Sequence, residues 1–335
     1  MRIVDLFSGL GGLTVGALEA ARALNLDFEI FLASDIEPSC SDFYRHNFKD
    51  YIRYFHDEDI KGLHVENIPY EEIDYLFAGP PCQGHSDLNN RSRRSDPRND
   101  LYLETLKVIK YLKPKVFLIE NVPTVIHSKQ GVVTQLKEQL GSLYYIKELV
   151  VDFELMGIAQ TRKRHILLGS LTPFEDGILT SIYNKLGKKN LQDAIYDLID
   201  IKQKTMFDTP SRMTSVNKER ANYLYNNDEY NLPNHLRPKC HQKNHSYKSM
   251  YGRLSWHKPA QTITGGFGSM GQGRFLHPSQ PRVITPHEAA RIQGIPDSLD
   301  FTKVVKRGDL HQMIGNAVPP ILSKELIIKL ETENE

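Results

Sequence analysis

Cysteine is scarce in this sequence, and long apolar runs are absent from it. Its three cysteines, Cys40, Cys82 and Cys240, are too few and too scattered for a disulfide framework. No segment approaches the roughly 18 consecutive apolar residues that cross a membrane. A strand-like pattern that begins at Arg2 leaves no room for a signal peptide. These absences exclude a disulfide scaffold and a membrane protein, and they predict a reduced, soluble, cytoplasmic protein.

Acidic residues are missing from one long stretch, Asn231 to His287. The stretch contains eight Lys and Arg residues, so the remaining chain carries −7 of the net charge of +1. The eight are Arg237, Lys239, Lys243, Lys248, Arg253, Lys258, Arg274 and Arg282. A protein polarised in this way suits a polyanionic partner, although a solvated basic loop region would have the same composition.

Short apolar segments alternate with helical patterns in the first half of the chain, which predicts an α/β fold with a mostly parallel sheet. Strands are expected at residues 2–7, 28–34, 75–78, 116–119 and 165–168, and helices at 13–24, 101–112 and 321–330. Regular patterning fades after about Leu191. We interpret the following region as a second, loop-rich domain, because Trp256, Phe267 and Phe275 offer core material.

Chemically distinctive residues follow four of the predicted strands. The glycines within residues 9–12 and the acid Asp35 suit an adenosine-containing cofactor. The spacing of these glycines is not the G-x-G-x-x-G of dinucleotide sites. Cys82 follows two rigid prolines, where a thiolate would be a strong nucleophile. Glu120 follows the strand at 116–119 and could act as an acid or a hydrogen-bond donor. Parallel strands would bring these groups to one edge of the sheet.

Two further groups of arginines could reach that edge. If a strand is continuous from Gln160, alternation would direct Arg162 and Arg164 to the same face. The polar loop at 87–98 carries Arg91, Arg93, Arg94 and Arg98 directly after the predicted nucleophile. Such a loop could close over a phosphodiester backbone, or it could be an ordinary surface loop.

With these motifs in this order, the chain resembles the DNA (cytosine-5)-methyltransferases of the bacterial modification type. The likeness covers nearly the whole chain except residues ~192–260. It implies the S-adenosylmethionine-dependent methyltransferase fold, with a doubly wound, mostly parallel sheet and a smaller loop-rich recognition domain. The implied catalytic domain comprises residues 1–190 and 310–335, and the target-recognition domain comprises residues 191–309.

The resemblance also implies roles for individual residues. S-adenosylmethionine would contact Phe7, Leu10, Gly11, Gly12, Asp35, Ile36, Asp59, Ile60, Pro80, Leu101, Asn316 and Val318. In the implied reaction Cys82 attacks C6 of cytosine and Glu120 stabilises the ring at N3. Arg164 would bind O2, and Arg162 would hold the carboxylate of Glu120. No metal is expected.

The implied partner is double-stranded DNA with the target cytosine flipped out of the helix. Candidate DNA contacts are Ser86, Arg91, Arg93, Arg94, Arg98, Arg237, Lys243, Arg253 and Thr262. The resemblance further implies a monomer and a cognate restriction endonuclease that acts separately.

Four alternatives stay open at this point. One is an RNA (tRNA) cytosine-5 methyltransferase of the same fold, and another is a catalytically silent DNA-binding regulator. A nicotinamide oxidoreductase is weaker because its phosphate fingerprint is absent. A zinc site at His235, Cys240, His241 and His245 is weaker too, because a regular Cys-x-x-Cys pair is missing.

Overall fold

The computed structural model describes residues 1–81, 101–127, 131–175, 177–178, 180–183, 185–202, 205–242 and 249–333. Several predicted site residues lie outside the described residues: Cys82, Ser86, Arg91, Arg93, Arg94, Arg98 and Lys243.

A seven-stranded sheet has the order β3-β2-β1-β4-β5-β8-β6. Its strands are β1 (Arg2–Leu6), β2 (Glu29–Ser34), β3 (Ile52–His56), β4 (Tyr75–Ala78), β5 (Val116–Asn121), β6 (Tyr145–Asp152) and β8 (Lys163–Ser170). The first five strands pair in parallel, whereas β8 is antiparallel to both β5 and β6. The prediction of a mostly parallel sheet is therefore confirmed. A separate small ladder joins β7 (Gln160–Thr161) to β9 (Ala260–Gln261).

Helices connect and follow these strands. They are α1 (Gly12–Ala23), α2 (Pro38–Phe48), α3 (Leu101–Leu112), α4 (Val132–Leu140), α5 (Leu191–Ile195), α6 (Ser215–Asn226), α7 (Pro286–Ile292), α8 (Arg307–Asn316) and α9 (Ile321–Glu333). Among the described helices, none combines the length and the apolar composition that crossing a bilayer requires.

The central strands are mostly apolar, as expected for strands of a parallel sheet that is covered on both faces. Every residue of β4 and β5 is buried. Residues 120 and 121 extend β5 two positions beyond the predicted end, because both pair with β8. A charged residue, Glu120, is therefore held inside a strand rather than in a loop.

The chain divides into two compact units. Unit 1 comprises Met1–Asp152, Lys163–Tyr183 and Val318–Glu335, and unit 2 comprises Phe153–Arg162 and Asn184–Ala317. These boundaries differ from the predicted ones at 190/191 and 309/310. Helix α8 belongs to unit 2 because it packs against α7. The 153–162 segment belongs there because β7 pairs with β9.

Each unit has its own core. In unit 1, α1 packs against α9, and the hydroxyl of Ser323 donates a hydrogen bond to the Leu13 carbonyl oxygen at 2.7 Å. In unit 2, Phe267 and Phe275 are buried as expected, whereas Trp256 is only partly buried.

Candidate active site

The turn after β1 has a backbone shape that few residues adopt. Phe7, Gly9 and Gly11 have φ angles of 56°, 55° and 83°. A Cβ at Gly11 would lie 2.6 Å from the Phe48 ring, and one at Gly12 would collide with the Val318 carbonyl oxygen. Glycine is therefore required at both positions, which places the turn close against α2 and the start of the C-terminal segment.

Asp35 ties the end of β2 to this turn. One of its carboxylate oxygens accepts a hydrogen bond from the Gly9 amide at 2.7 Å, and the other accepts one from the Glu37 amide at 2.9 Å. Burial raises the pKa of Asp35, although the two amide hydrogen bonds act in the opposite direction. Beside it, Ile36 is 62% exposed and presents an apolar surface.

Three other predicted cofactor residues, Phe7, Ile60 and Leu101, pack on one hydrophobic cluster. Asp59 precedes Ile60, and its carboxylate caps the next turn by accepting a hydrogen bond from the Lys61 amide at 3.0 Å. The Ser8 hydroxyl oxygen is buried without a hydrogen-bond partner among the described residues. An orphaned hydroxyl, close-approach glycines and an acid beside an exposed apolar residue fit an adenosyl amino acid. Of the remaining predicted contacts, Leu10, Pro80 and Val318 lie in unit 1, and Asn316 lies in unit 2.

Sequence reasoning missed a buried polar chain that starts two residues before Phe7. The Thr14 hydroxyl is 2.7 Å from the Asp5 carboxylate and 2.6 Å from the Tyr44 hydroxyl. Burial raises the pKa of Asp5 to about 7, although the Thr14 hydrogen bond lowers it and Asp35 raises it further. An acid inside an apolar strand pattern was the only signal available in the sequence.

Glu120 and Arg164 form the second part of the site. The Glu120 carboxyl is 7% exposed, and its Oε1 lies 2.9 Å from Arg164 Nε. Next to it, Asn121 donates a hydrogen bond to the Pro80 carbonyl oxygen at 3.1 Å. This hydrogen bond joins the last residue of β5 to the segment that follows β4, two residues before Cys82. The ends of these two strands therefore lie together, as expected.

The structure pairs Glu120 with Arg164, whereas the expected hold of Arg162 on the Glu120 carboxylate stays a prediction. Arg162 lies between β7 and β8, so the continuous strand that would align the two arginines is interrupted. Its guanidinium donates hydrogen bonds to the carbonyl oxygens of Ile263 and Gly315 and to Gln293. The chain changes unit between residues 162 and 163, so Arg162 belongs to unit 2 and Arg164 to unit 1.

The predicted DNA contacts within the described residues are Arg237, Arg253 and Thr262, all in unit 2. The Thr262 hydroxyl donates to the Thr161 carbonyl oxygen at 2.8 Å. Arg237 donates to the Leu232 carbonyl oxygen at 2.9 Å, and Arg253 to that of Pro278 at 2.8 Å. Arg282, another cation of the acid-free stretch, forms two hydrogen bonds with Glu288. Part of the charge counted in the sequence is therefore engaged inside unit 2.

Metal ligands are not grouped in the described part of the chain, where no three His, Cys, Asp or Glu side chains could share an ion. Of the residues considered for zinc, Cys240 is exposed, and His245 lies outside the described residues.

Known proteins are similar to this chain over nearly its whole length. The Type II methyltransferase M1.BsuMI of Bacillus subtilis is 42% identical over 336 residues, covering 96% of this chain and 78% of that protein. M1.HphI of Haemophilus parahaemolyticus is 30% identical, covering 98% of this chain and 87% of that protein.

Solved structures show the same fold. A protein described as a prophage-encoded DNA modification methyltransferase of E. coli has a TM-score of 0.71 at 25% identity, with full coverage of both chains. The S. pombe Dnmt2 methyltransferase has a TM-score of 0.70 at 20% identity, which is a likeness of fold. Residues 1–332 match the C-5 cytosine-specific DNA methylases. The chain belongs to that family, whose members use S-adenosylmethionine as the methyl donor.

Proposed function

We propose that this protein transfers a methyl group from S-adenosylmethionine to C5 of a flipped cytosine in a specific double-stranded DNA site. The observation that carries the proposal is the buried Glu120–Arg164 pair, which lies beside the Asn121–Pro80 hydrogen bond. A carboxyl held by a cation next to the segment that leads into Cys82 suits the polarisation of a pyrimidine ring.

The turn at residues 7–12, together with Asp35 and Ile36, would hold the cofactor. The Asp35 carboxylate would bind the ribose hydroxyls, Ile36 and Phe7 would cover the adenine, and Ser8 offers its unpartnered hydroxyl. When bound there, S-adenosylmethionine supplies an electrophilic methyl group for C5.

Cys82 and Glu120 would prepare the base to accept that methyl group. Attack of the Cys82 thiolate on C6 makes C5 nucleophilic, and Glu120 balances the charge that develops at N3. Arg164 keeps the Glu120 carboxyl oriented and would contact O2. After methylation, loss of the C5 proton to water and release of the thiolate by β-elimination restore the enzyme.

Unit 2 would bind the DNA and select the site, because it contains the acid-free basic stretch. The relatives named as Type II methyltransferases support action within a restriction-modification system, with a cognate endonuclease as a separate protein. We further propose that the enzyme acts as a monomer in the cytoplasm, where its DNA lies.

Bisulfite sequencing of unmethylated plasmid, after incubation with the protein and S-adenosylmethionine, tests the proposal. We expect protected cytosines in one repeated context and none with Cys82→Ser. The matched control is Cys240→Ser, an exposed cysteine of unit 2, which should protect the same cytosines. Full conversion of the plasmid, with transfer to tRNA only, would favour the RNA alternative. If neither polymer is modified, the silent DNA-binding regulator becomes the better explanation.

A further inference from the structure

Three arginines of unit 2 meet around one short backbone segment, residues 230–232. Arg274 donates to the Tyr230 carbonyl oxygen at 2.6 Å and also to the Asn231 side chain. Arg237 binds the Leu232 carbonyl oxygen from its Nε. The Arg253 amide donates to Tyr230 at 3.0 Å, and its guanidinium lies over the Tyr230 ring at 4.9 Å.

Arg237, Arg253 and Arg274 form a cluster in which most of the hydrogen-bond acceptors are neutral groups. Arg274 also donates to the Arg253 carbonyl oxygen at 2.9 Å, so its acceptors are two carbonyls and one amide. Within the part of the chain that the structure describes, Arg274 has no ion pair with a carboxylate. Asp228 pairs with Arg253 at 3.1 Å, but its side chain is 84% exposed. An exposed partner of this kind compensates little charge.

The positive charges of Arg237 and Arg274 repel one another. Burial lowers the pKa of Arg274, and the neighbouring charge of Arg237 lowers it further. Partly buried cations are ordinarily paired with an anion, since desolvation otherwise costs free energy. The stretch that contains these arginines, Asn231 to His287, has no Asp or Glu of its own.

We propose that Arg237, Arg253 and Arg274 form a preorganised site for a phosphate group of the DNA backbone. Guanidinium groups match phosphate oxygens through paired N–H donors, and their hydrogen bonds to backbone carbonyls fix their directions before DNA arrives. The site would position the duplex without reading its sequence. This inference rests on the proposed function and adds Arg274, which the sequence did not single out as a DNA contact.

Duplex binding by fluorescence anisotropy across a range of salt concentrations tests the site with Arg274→Gln. A plot of log K against log salt concentration has a negative slope, and removing one phosphate contact should make that slope less steep by about 0.9. We expect binding at ~0.1 M salt to weaken about 5- to 20-fold, equally for duplexes with and without the recognition sequence.

Arg220→Gln is the matched control. Arg220 also donates to a backbone carbonyl, that of Leu236 at 2.8 Å, and lies over an aromatic ring, that of Tyr251 at 5.5 Å. It lies outside the cluster, so the salt slope should stay at the wild-type value. Arg274→Lys keeps the charge and should retain most of the slope, which separates loss of a phosphate contact from loss of the carbonyl clamp.

An unchanged slope in a folded Arg274→Gln protein would overturn the proposal and leave Arg274 with a purely structural role. Equal losses in Arg274→Gln and Arg220→Gln would overturn it too. If Arg274→Gln does not fold, Arg237→Gln replaces it with the same expected change in slope. Plasmid methylation by the wild-type protein is measured in parallel, so failure of the phosphate site is distinguished from failure of the proposed function.

Discussion

At the scale of single residues, the Glu120–Arg164 pair is the most consequential contact. Arg164→Met leaves a buried carboxyl without its cation, so we expect methyl transfer to fall about 10²- to 10³-fold. Single-turnover transfer of a labelled methyl group to duplex DNA measures the loss. Lys163→Met on the same strand is the control, because that side chain is 66% exposed and lies 3.3 Å from Asp152. Equal rates in the two variants would contradict the assigned role of Arg164.

Asp5 makes the stability of unit 1 depend on pH. Its pKa of about 7 in the folded protein lies above the usual value of 3.8, so the folded state retains a proton that the unfolded state releases. Stability therefore falls as pH rises from 3.8 to about 7, and it levels off well above pH 7, where Asp5 is ionised in both states. Between pH 5 and pH 8 we expect wild type to lose about 2–3 kcal/mol relative to Asp5→Asn.

Denaturant unfolding of both proteins at the two pH values measures this difference. Asp50→Asn, at an exposed position, should follow the wild-type curve. Parallel curves for wild type and Asp5→Asn would mean that Asp5 is ionised throughout.

The positions of individual candidate residues were partly predictable from the sequence. Asp35 and Glu120 could be located because each follows an apolar strand, and parallel strands end at a common edge. The partner of Glu120 could not be chosen between Arg162 and Arg164, because that depends on where β8 begins and where the chain changes unit. The hydrogen bonds of Arg237 and Arg253 to the carbonyl oxygens of Leu232 and Pro278 depend on the path of the backbone, which composition does not reveal.

At the scale of elements, the close packing of α1 on α9 requires a residue without a side chain at position 16. A Cβ at Gly16 would collide with the Pro320 carbonyl oxygen and the Ser323 hydroxyl, and would lie 2.9 Å from the Lys324 amide nitrogen. We expect Gly16→Ala to lower the free energy of unfolding by about 1–3 kcal/mol despite the better helix propensity of alanine. Urea denaturation measures the change.

Gly62→Ala is the control for that substitution. An added Cβ there meets nothing within 4 Å, so stability should stay the same or rise slightly. A Gly16→Ala protein as stable as Gly62→Ala would show that α9 can shift away from α1 at little cost.

Elements with continuous apolar sequence were the predictable ones. The predicted helix at 101–112 is confirmed as α3, and the strands at 28–34 and 75–78 agree with β2 and β4 within one residue. Strands β3 and β6 were missed because they are the edges of the sheet. Edge strands are partly exposed, so their residues alternate weakly. The antiparallel direction of β8 follows from its pairing with β5 and β6, which local sequence does not encode.

At the scale of the whole molecule, the buried His277 and the half-buried His311 make unit 2 sensitive to acid. Burial lowers the pKa of His277 and that of His311 to about 4 each. The charged groups near His277 are Glu288, Arg282 and Arg253. Its Nδ1 accepts hydrogen bonds from the backbone amides of Ser279 and Gln280. The unfolded chain binds protons from about pH 6.5, so stability is complete above that value and is lost as pH falls towards 4.

Hydrogen exchange of peptides from residues 274–288, at pH 5 and pH 7, tests this sensitivity. His277→Asn keeps an acceptor for the two amides and should remove up to about 3 kcal/mol of the pH dependence. His64→Asn is the control, because the His64 side chain is 70% exposed. The assignment fails if protection in His277→Asn falls as steeply with acid as in wild type.

The packing of α9 on α1 also has a consequence for biosynthesis. The Ser323–Leu13 hydrogen bond joins residues 310 positions apart, so the face of α1 that packs on α9 is synthesised long before α9 itself. Both segments of unit 2, Phe153–Arg162 and Asn184–Ala317, leave the ribosome before α9 does. Unit 2 can therefore finish folding while unit 1 still lacks α9. A circular permutant that begins with α9 would remove this delay.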